Sequence, residues 1–320
     1  MQIDIPSVRA HFYEAYFGRY PRPLRDFAWL HMESLLPFLS TKFGRLVPVQ
    51  LLANLIGIAD PPSVVIPSLA THLKQRGVRT STQAEIVQAM PSVVLLQDSF
   101  TTYFRPSVFL AMIEIITQLQ LSFAVLPLRP CGKSNHIRGD LRTFNKIAQR
   151  NMEWISPIQN ANIPIVGIDP AATLLWRDEY PAAVGQEASD SIVLLPQEWL
   201  IQQDLSSLQI NGTWRLFPHC IERACAIDSS AQWERVFQIA GAELQLIETA
   251  CCGMGGLFGH QKEYKNQSSE IWNQQWIPHK PNADNSLTTG YSCHSQAMRM
   301  SNITLRHPLE VMTTLSDGLQ

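Results

Sequence analysis

Internal repetition constrains a fold more than any single motif, because it commits both halves of a chain to one architecture. From about residue 91 this sequence alternates short apolar runs with helix-patterned segments. "SVVLLQDSF", "SFAVLPL" and "IPIVGIDP" are strand-like, and "PSVFLAMIEIITQLQ" and "DLRTFNKIAQRNMEW" lie between them. The alternation then restarts: "TWRLFPHC", "ELQLIETACCG" and "NSLTTGYSC" read as strands running into turns, separated by "QWERVFQIAGA" and "NQSSEIWNQQWI". A shift of 121 residues lays Asp98 on His219, Ser99 on Cys220, Cys131 on Cys252, Gly132 on Gly253, Asp169 on Gly290 and Ala172 on Cys293. One offset aligns three separate strand ends without a net gap, which chance rarely does.

Strand–helix alternation of this kind predicts parallel sheets with helices on their faces. The fold class expected is α/β: two tandem Rossmann-like parallel-sheet repeats related by a pseudo-two-fold, with a helical N-terminal arm. The division expected is 1–90 for the arm, 91–190 for a degenerate first repeat and 191–320 for a second repeat that keeps the cysteines. The arm carries apolar residues at helical spacing, broken by Pro21 and Pro23, but has too little pattern for a core of its own. It is expected to pack on something else.

The formal net charge of −2 gives no basic field for nucleic acid. No apolar segment is long and uninterrupted enough for a transmembrane helix, and the first residues carry no signal-peptide core. The expectation is a cytoplasmic protein, a compartment where cysteines serve as metal ligands or redox groups more often than in disulfides. Charged residues make up only 16% of the chain, which leaves unusually neutral surface for burial against a partner.

Cys220, Cys251, Cys252 and Cys293 each follow a strand-like run, and the carboxyl ends of parallel strands share one edge. Four thiolates gathered there suit an iron–sulfur cluster or a tetrahedral zinc ion. Gly253, Gly255 and Gly256 permit tight turns and close approach to a bulky group, with backbone N–H groups free to bond to its sulfurs. His219 and His260 flank the constellation as candidate donors to a bound group, or as capped or solvated histidines. Cys131 and Cys225 read as core thiols, and Trp272 and Trp276, four apart, as helix packing. In the first repeat Lys133, His136 and Arg138 follow Gly132, and Asp98, Asp169, Arg177 and Glu179 come from neighbouring strand ends. They form either a pocket for an anion or redox group, or an ion-pair network that fills a vacated site.

The order Cys…CCG…Cys resembles the cysteine-rich CCG domain known from the B subunit of heterodisulfide reductase, with relatives in glycolate oxidase and anaerobic glycerol-3-phosphate dehydrogenase. "LFPHCIE", "CCGMGGLFGH", "GYSCHSQ" and "GIDPAATLLWRDEY" are closer still to the C-terminal part of FAD-linked oxidases of the D-2-hydroxyglutarate dehydrogenase type. That resemblance covers nearly the whole chain. It implies an electron-transfer module whose Cys220, Cys251, Cys252 and Cys293 hold a 4Fe–4S cluster and pass electrons from flavin to a downstream acceptor. FAD would sit only on a partner or on a missing N-terminal region, so the chain would not oxidise substrate alone. The partners implied are a flavin-containing dehydrogenase domain or subunit and a ferredoxin-like segment. Gly290 stands where that family has the first cysteine of a terminal CxxC, leaving four ligands instead of five. Five belong with a noncubane cluster; four suit an ordinary cubane or zinc. The first repeat, with Cys131 alone, is expected to hold no cluster. The competing readings are a docking or assembly module whose cysteines bind zinc or no metal, and a thiol reductase cycling through a disulfide of the adjacent pair, which would be strained.

Overall fold

The computed structural model describes residues 5–187 and 192–313. The arm forms α1 (Ile5–Phe17), α2 (Leu24–Leu30), α3 (Met32–Leu39) and α4 (Val49–Leu55), followed by α5 (Leu69–Gln75) and α6 (Gln83–Ala89). The first repeat comprises β1 (Val93–Leu95), α7 (Ser99–Tyr103), α8 (Pro106–Gln118), β2 (Phe123–Val125), α9 (Lys133–Ile137), α10 (Leu141–Asn160), β3 (Ile165–Val166), α11 (Pro170–Thr173) and α12 (Glu179–Val184). After α13 (Pro196–Leu200) come β4 (Thr213–Phe217), α14 (Cys220–Cys225), α15 (Ser229–Ile239), β5 (Glu243–Leu246), α16 (Lys265–Gln275), β6 (Ser286–Thr288), α17 (Tyr291–Ser301) and α18 (Pro308–Val311). The expected boundary between the repeats, at 190/191, lies outside the described residues. Among the described residues no helix is long and apolar enough to cross a membrane.

The 121-residue shift holds at the level of hydrogen-bond register. The two parallel sheets have the orders β2-β1-β3 and β5-β4-β6. Val93 pairs with Phe123 and Trp214 with Leu244; Leu95 pairs with Val166 and Leu216 with Leu287. Helix starts follow the same rule: Asp98 caps α7 through the Phe100 and Thr101 N–H groups, and His219 caps α14 through the Ile221 N–H. The fold is therefore two tandem Rossmann-like α/β repeats.

Alternation along the strands sorts side chains to two faces. Val93 and Leu95 of β1 enter one core cluster together with Phe109 and Met112 of α8, Leu216 of β4, and Trp233 and Phe237 of α15. That core belongs to both repeats, and α18, packed on α8, ties the end of the chain into it through the Arg105–Glu310 ion pair. The outer faces differ. Val94, Leu126 and Ile165 pack with Phe144 and Ile155 of the amphipathic α10, whereas Phe217 packs with Trp272 of α16 and with Trp276, which caps that helix. The two tryptophans stack at 4.9 Å between ring centroids, as the four-residue spacing predicted.

The segment from Thr80 through α6 lies with the first sheet: Thr80 bridges to Val125, and α6 packs on α10. Helices α1–α4 pack instead over α9 and over the glycine-rich turn after Cys252. The Ala59 N–H donates to the His260 carbonyl at 2.7 Å, and Leu257 joins Trp29, Ala53 and Ile58 in one apolar cluster. Buried Asp26 of α2 pairs with Arg138, whose guanidinium lies over the Tyr13 ring.

Candidate functional site

The parallel register brings the ends of β4, β5 and β6 to one edge, and the four cysteines meet there. The side chains of Cys220 and Cys252 are both close enough to the Cys251 sulfur to shift its acidity, and Cys252 feels Cys293 in the same way. The string has a wet end and a dry end: Cys220 is exposed and Cys251 half-buried, while Cys252 and Cys293 are buried. The neighbouring Cys220 and Cys252 side chains and the N–H groups of Gly253 (3.4 Å) and Gly255 favour negative charge on the Cys251 sulfur and lower its pKa. Facing that sulfur, Cys220 and Cys252 hold their protons more tightly and their pKa values are raised, with burial adding to the effect at Cys252.

The turn after the pair needs glycine for reasons of space. Gly253 has φ +93°, and a Cβ there would lie 2.4 Å from the Ser268 carbonyl oxygen. Ser268 in turn donates to the Gly253 carbonyl at 2.8 Å, fixing the turn on α16. Gly256, also at positive φ, leaves room for the Arg9 guanidinium of α1. His260 is buried under the arm with its Nδ1 3.0 Å from the Ala59 carbonyl. It is not placed among the cysteine contacts.

His219 and Gly290 turn out to be one feature. A Cβ on Gly290 would stand 2.1 Å from Cδ2 of the His219 ring, so the imidazole occupies the space that a side chain at 290 would need. The ring is held by Ser292 Oγ at 2.8 Å, and burial pushes its pKa down to about 4. The departure from a terminal CxxC is thus matched by a neighbouring side chain. Gly290→Ala is expected to destabilise the protein by about 1–3 kcal/mol through overpacking. In a His219→Gly background the same substitution should cost little, a coupling that urea unfolding of the four variants in the cycle would measure.

The corresponding edge of the first repeat is filled by a carboxylate that the sequence pattern did not reveal. Glu33, on α3 of the arm, accepts from the Cys131 N–H (3.0 Å), the Gly132 N–H (2.8 Å) and Ser99 Oγ (3.0 Å). The 121-residue shift maps those three partners onto Cys252, Gly253 and Cys220. An arm carboxylate therefore stands where the second repeat gathers thiols. The charges around it pair locally: Lys133 with Glu179 at 2.5 Å, and Arg177 with Glu198. Asp98 and Asp169 cap helices, and Asp169 also accepts from the Tyr291 N–H at 2.9 Å, joining the two edges. A narrow cavity lined by Leu96, Asp98, Arg129, Cys131, Trp154 and Trp176 remains beside them. Lys133, Arg138, Arg177 and Glu179 are thus taken up in ion pairs, and Asp98 and Asp169 in helix caps. Cys131 is buried as expected; Cys225 is exposed, contrary to the core reading, because α14 is a short surface helix whose buried side is taken by Glu222. Glu33→Ala would leave two N–H groups without their acceptor, and a loss of about 1–3 kcal/mol is expected, with a smaller loss for Glu33→Gln. Thermal unfolding of both variants checks this.

Acid should weaken the packing of the arm on the turn. Burial and the nearby Arg299 lower the pKa of His260 to about 4. Its folded value lies below its unfolded value near 6.5, so its contribution is complete above that pH and is lost as pH falls through about 4. At full titration this amounts to ~3 kcal/mol. Asp98 has the opposite sign: burial and Asp169 raise it to about 7, so its contribution is complete below about 4 and is lost as pH rises through 7. Melting temperatures of His260→Gln between pH 4 and 7 should fall less steeply toward acid than those of the wild type.

Fold and site together define a tandem α/β protein with a four-cysteine edge on its second repeat. No family model matches the chain. Among curated proteins it is similar to D-2-hydroxyglutarate dehydrogenase of Pseudomonas putida, 36% identical over 98% of this chain and 32% of that protein, and to the Escherichia coli enzyme of the same name, 32% identical over the same shares. It is also similar to one subunit of the anaerobic glycerol-3-phosphate dehydrogenase of Escherichia coli, 22% identical over 90% of this chain and 76% of that polypeptide. The chain spans about a third of the length of the dehydrogenases it matches.

Proposed function

We propose that this chain is the electron-transfer module of a flavin-dependent dehydrogenase of 2-hydroxyacids such as D-2-hydroxyglutarate or glycolate, with Cys220, Cys251, Cys252 and Cys293 as ligands of a 4Fe–4S cluster. The observation that carries this reading is the placement of four cysteines, drawn from three parallel strand ends, at one sheet edge. The donor set fits such a group. The surroundings of Cys251 favour its thiolate form, and the turn supplies N–H groups to its sulfur. Gly253 and Gly256 keep the turn free of side chains where Ser268 and Arg9 approach. A bound cluster supplies one-electron chemistry at a potential set by its hydrogen bonds and exposure. The residues of this chain orient it, with Cys252 and Cys293 on the dry side and Cys220 toward solvent. Similarity to dehydrogenases, and to a dehydrogenase subunit lying largely within the same match, supports the reading. Flavin and substrate would belong to another part of the assembly, and the first repeat, closed by Glu33, would hold no cluster.

The second reading is an assembly module whose cysteines bind zinc or nothing. Among the described residues no three His, Cys, Asp or Glu side chains close on a point as ligands of a single metal ion. Protein produced with iron and purified without oxygen distinguishes the two readings. About four irons and four sulfides per chain support the cluster; zinc in their place overturns it.

A further inference from the structure

The arm is apolar on both sides. Of the nineteen exposed large hydrophobic residues among those described, thirteen lie between Val8 and Leu55. Phe12 and Tyr16 of α1 and Tyr20 just after it form an outward ladder at four-residue spacing, with Phe12 and Tyr16 stacked at 5.9 Å and Tyr16 and Tyr20 tilted at 4.7 Å between ring centroids. The opposite side of the same helix buries Ala10 and sets Tyr13 under Arg138. Helix α3 buries Leu36 and exposes Leu35 and Phe38; α4 buries Ala53 and exposes Leu51, Leu52 and Leu55. A helix that is hydrophobic all round belongs inside an assembly, and an apolar surface of this extent marks an interaction site.

Resting on the electron-transfer reading, we propose that the outer face of α1–α4 is a permanent docking surface for the flavin-bearing dehydrogenase portion of the assembly. Three observations select that occupant. The match to the dehydrogenases takes in 98% of this chain, so it includes the arm, while two thirds of each dehydrogenase lies outside the match. A partner of that size is what the arm's outer layer lacks. The face carries little charge: Glu14, Arg19 and Lys42 are its exposed ionic residues among those described, which suits an obligate, apolar interface and not a diffusing carrier steered by charge. Helices that lie on a membrane surface carry a lysine- and arginine-rich polar face, and here the inner face is already packed on protein.

The location suits the role. Helices α2 and α4 sit on the turn that follows the cysteine pair, through the Leu257–Trp29–Ala53 cluster, the Ala59–His260 hydrogen bond and the Arg25–Glu263 pair at 2.5 and 2.7 Å. A partner seated on the outer face is separated from that turn by one helix layer, roughly 10 Å. The arm would be both the lid of the cysteine site and the surface on which its electron donor rests.

The test uses the tagged full chain and two double variants, Phe12→Ser/Tyr16→Ser on α1 and Leu35→Ser/Phe38→Ser on α3. All four side chains are exposed, so circular dichroism and melting temperature should match the wild type. Each is used to retain proteins from an extract of the producing organism, with bound flavin read by fluorescence and the retained chain identified by mass spectrometry. The expected result is a flavin-bearing dehydrogenase chain retained near one-to-one by the wild type and at least about tenfold less by either variant. Equal retention by the variants overturns the proposal, as does a wild type that retains no flavoprotein. So does a face whose only role is self-association, or binding to phosphatidylcholine–phosphatidylglycerol vesicles. Failure of the cluster is a separate result: a chain without iron that still loses its flavoprotein in the variants keeps the docking surface and discards the electron-transfer reading.

Discussion

Cys252→Ser, assembled with iron and without oxygen, is expected to lose essentially all of its bound iron, whereas Cys131→Ser and Cys225→Ser keep theirs. Cys252 lies between Cys251 and Cys293, both of which shift its acidity, and it is buried. A serine hydroxyl is a harder and far less acidic donor, and iron–sulfur clusters are held by soft thiolates. The controls separate site from background. Cys131 lies at the equivalent turn of the first repeat, where Glu33 takes the backbone donors, and Cys225 is exposed on α14. Circular dichroism of the three variants, beside their iron content, shows whether the loss is one of ligation or of folding. Iron retained by Cys252→Ser at the wild-type level would remove the cysteine string from the account.

The largest expected loss of stability is at Phe109→Ala, about 3–5 kcal/mol. Phe109 is fully buried on α8 in the cluster that also contains Leu216 of β4 and Trp233 of α15. Truncating it removes apolar area from water-free packing and leaves a cavity between repeats that cannot collapse independently. Because that core is common to both halves, urea unfolding should remain one transition displaced as a whole. A variant in which the first repeat melts early while the second keeps its midpoint would show that the sheets are separately stable.

The architecture was legible because the strands and the helices that follow β1 and β4 recur at one offset. The register pairs Val93–Phe123 and Trp214–Leu244 follow the count residue for residue. The cysteine site was legible for the same reason: parallel strands deliver their carboxyl ends to one edge, so thiols after three strands must meet. Two things were hidden. Glu33 lies 66 positions before Ser99, on an arm that has no counterpart in the repeat, so periodicity gives it no partner. The fit of His219 against Gly290 is a matter of volume between distant parts of the chain, visible only once β4 and β6 are neighbours. A signal was nonetheless present: two positions in the first repeat, Asp98 and Asp169, map onto that very pair. Cys225 was misjudged because a thiol on a six-residue helix can face either way, and pattern over so short a span does not choose.

Whether the four cysteines hold a redox-active cluster is read from electron paramagnetic resonance of the anaerobic protein. Spectra would be recorded before and after dithionite on the wild type and on Cys251→Ser, the variant without the sulfur that Cys220, Cys252, Gly253 and Gly255 converge on. The account predicts a signal that appears on reduction in the wild type and is absent from the variant. A wild-type protein that is well folded, supplied with iron and silent in both states contradicts it.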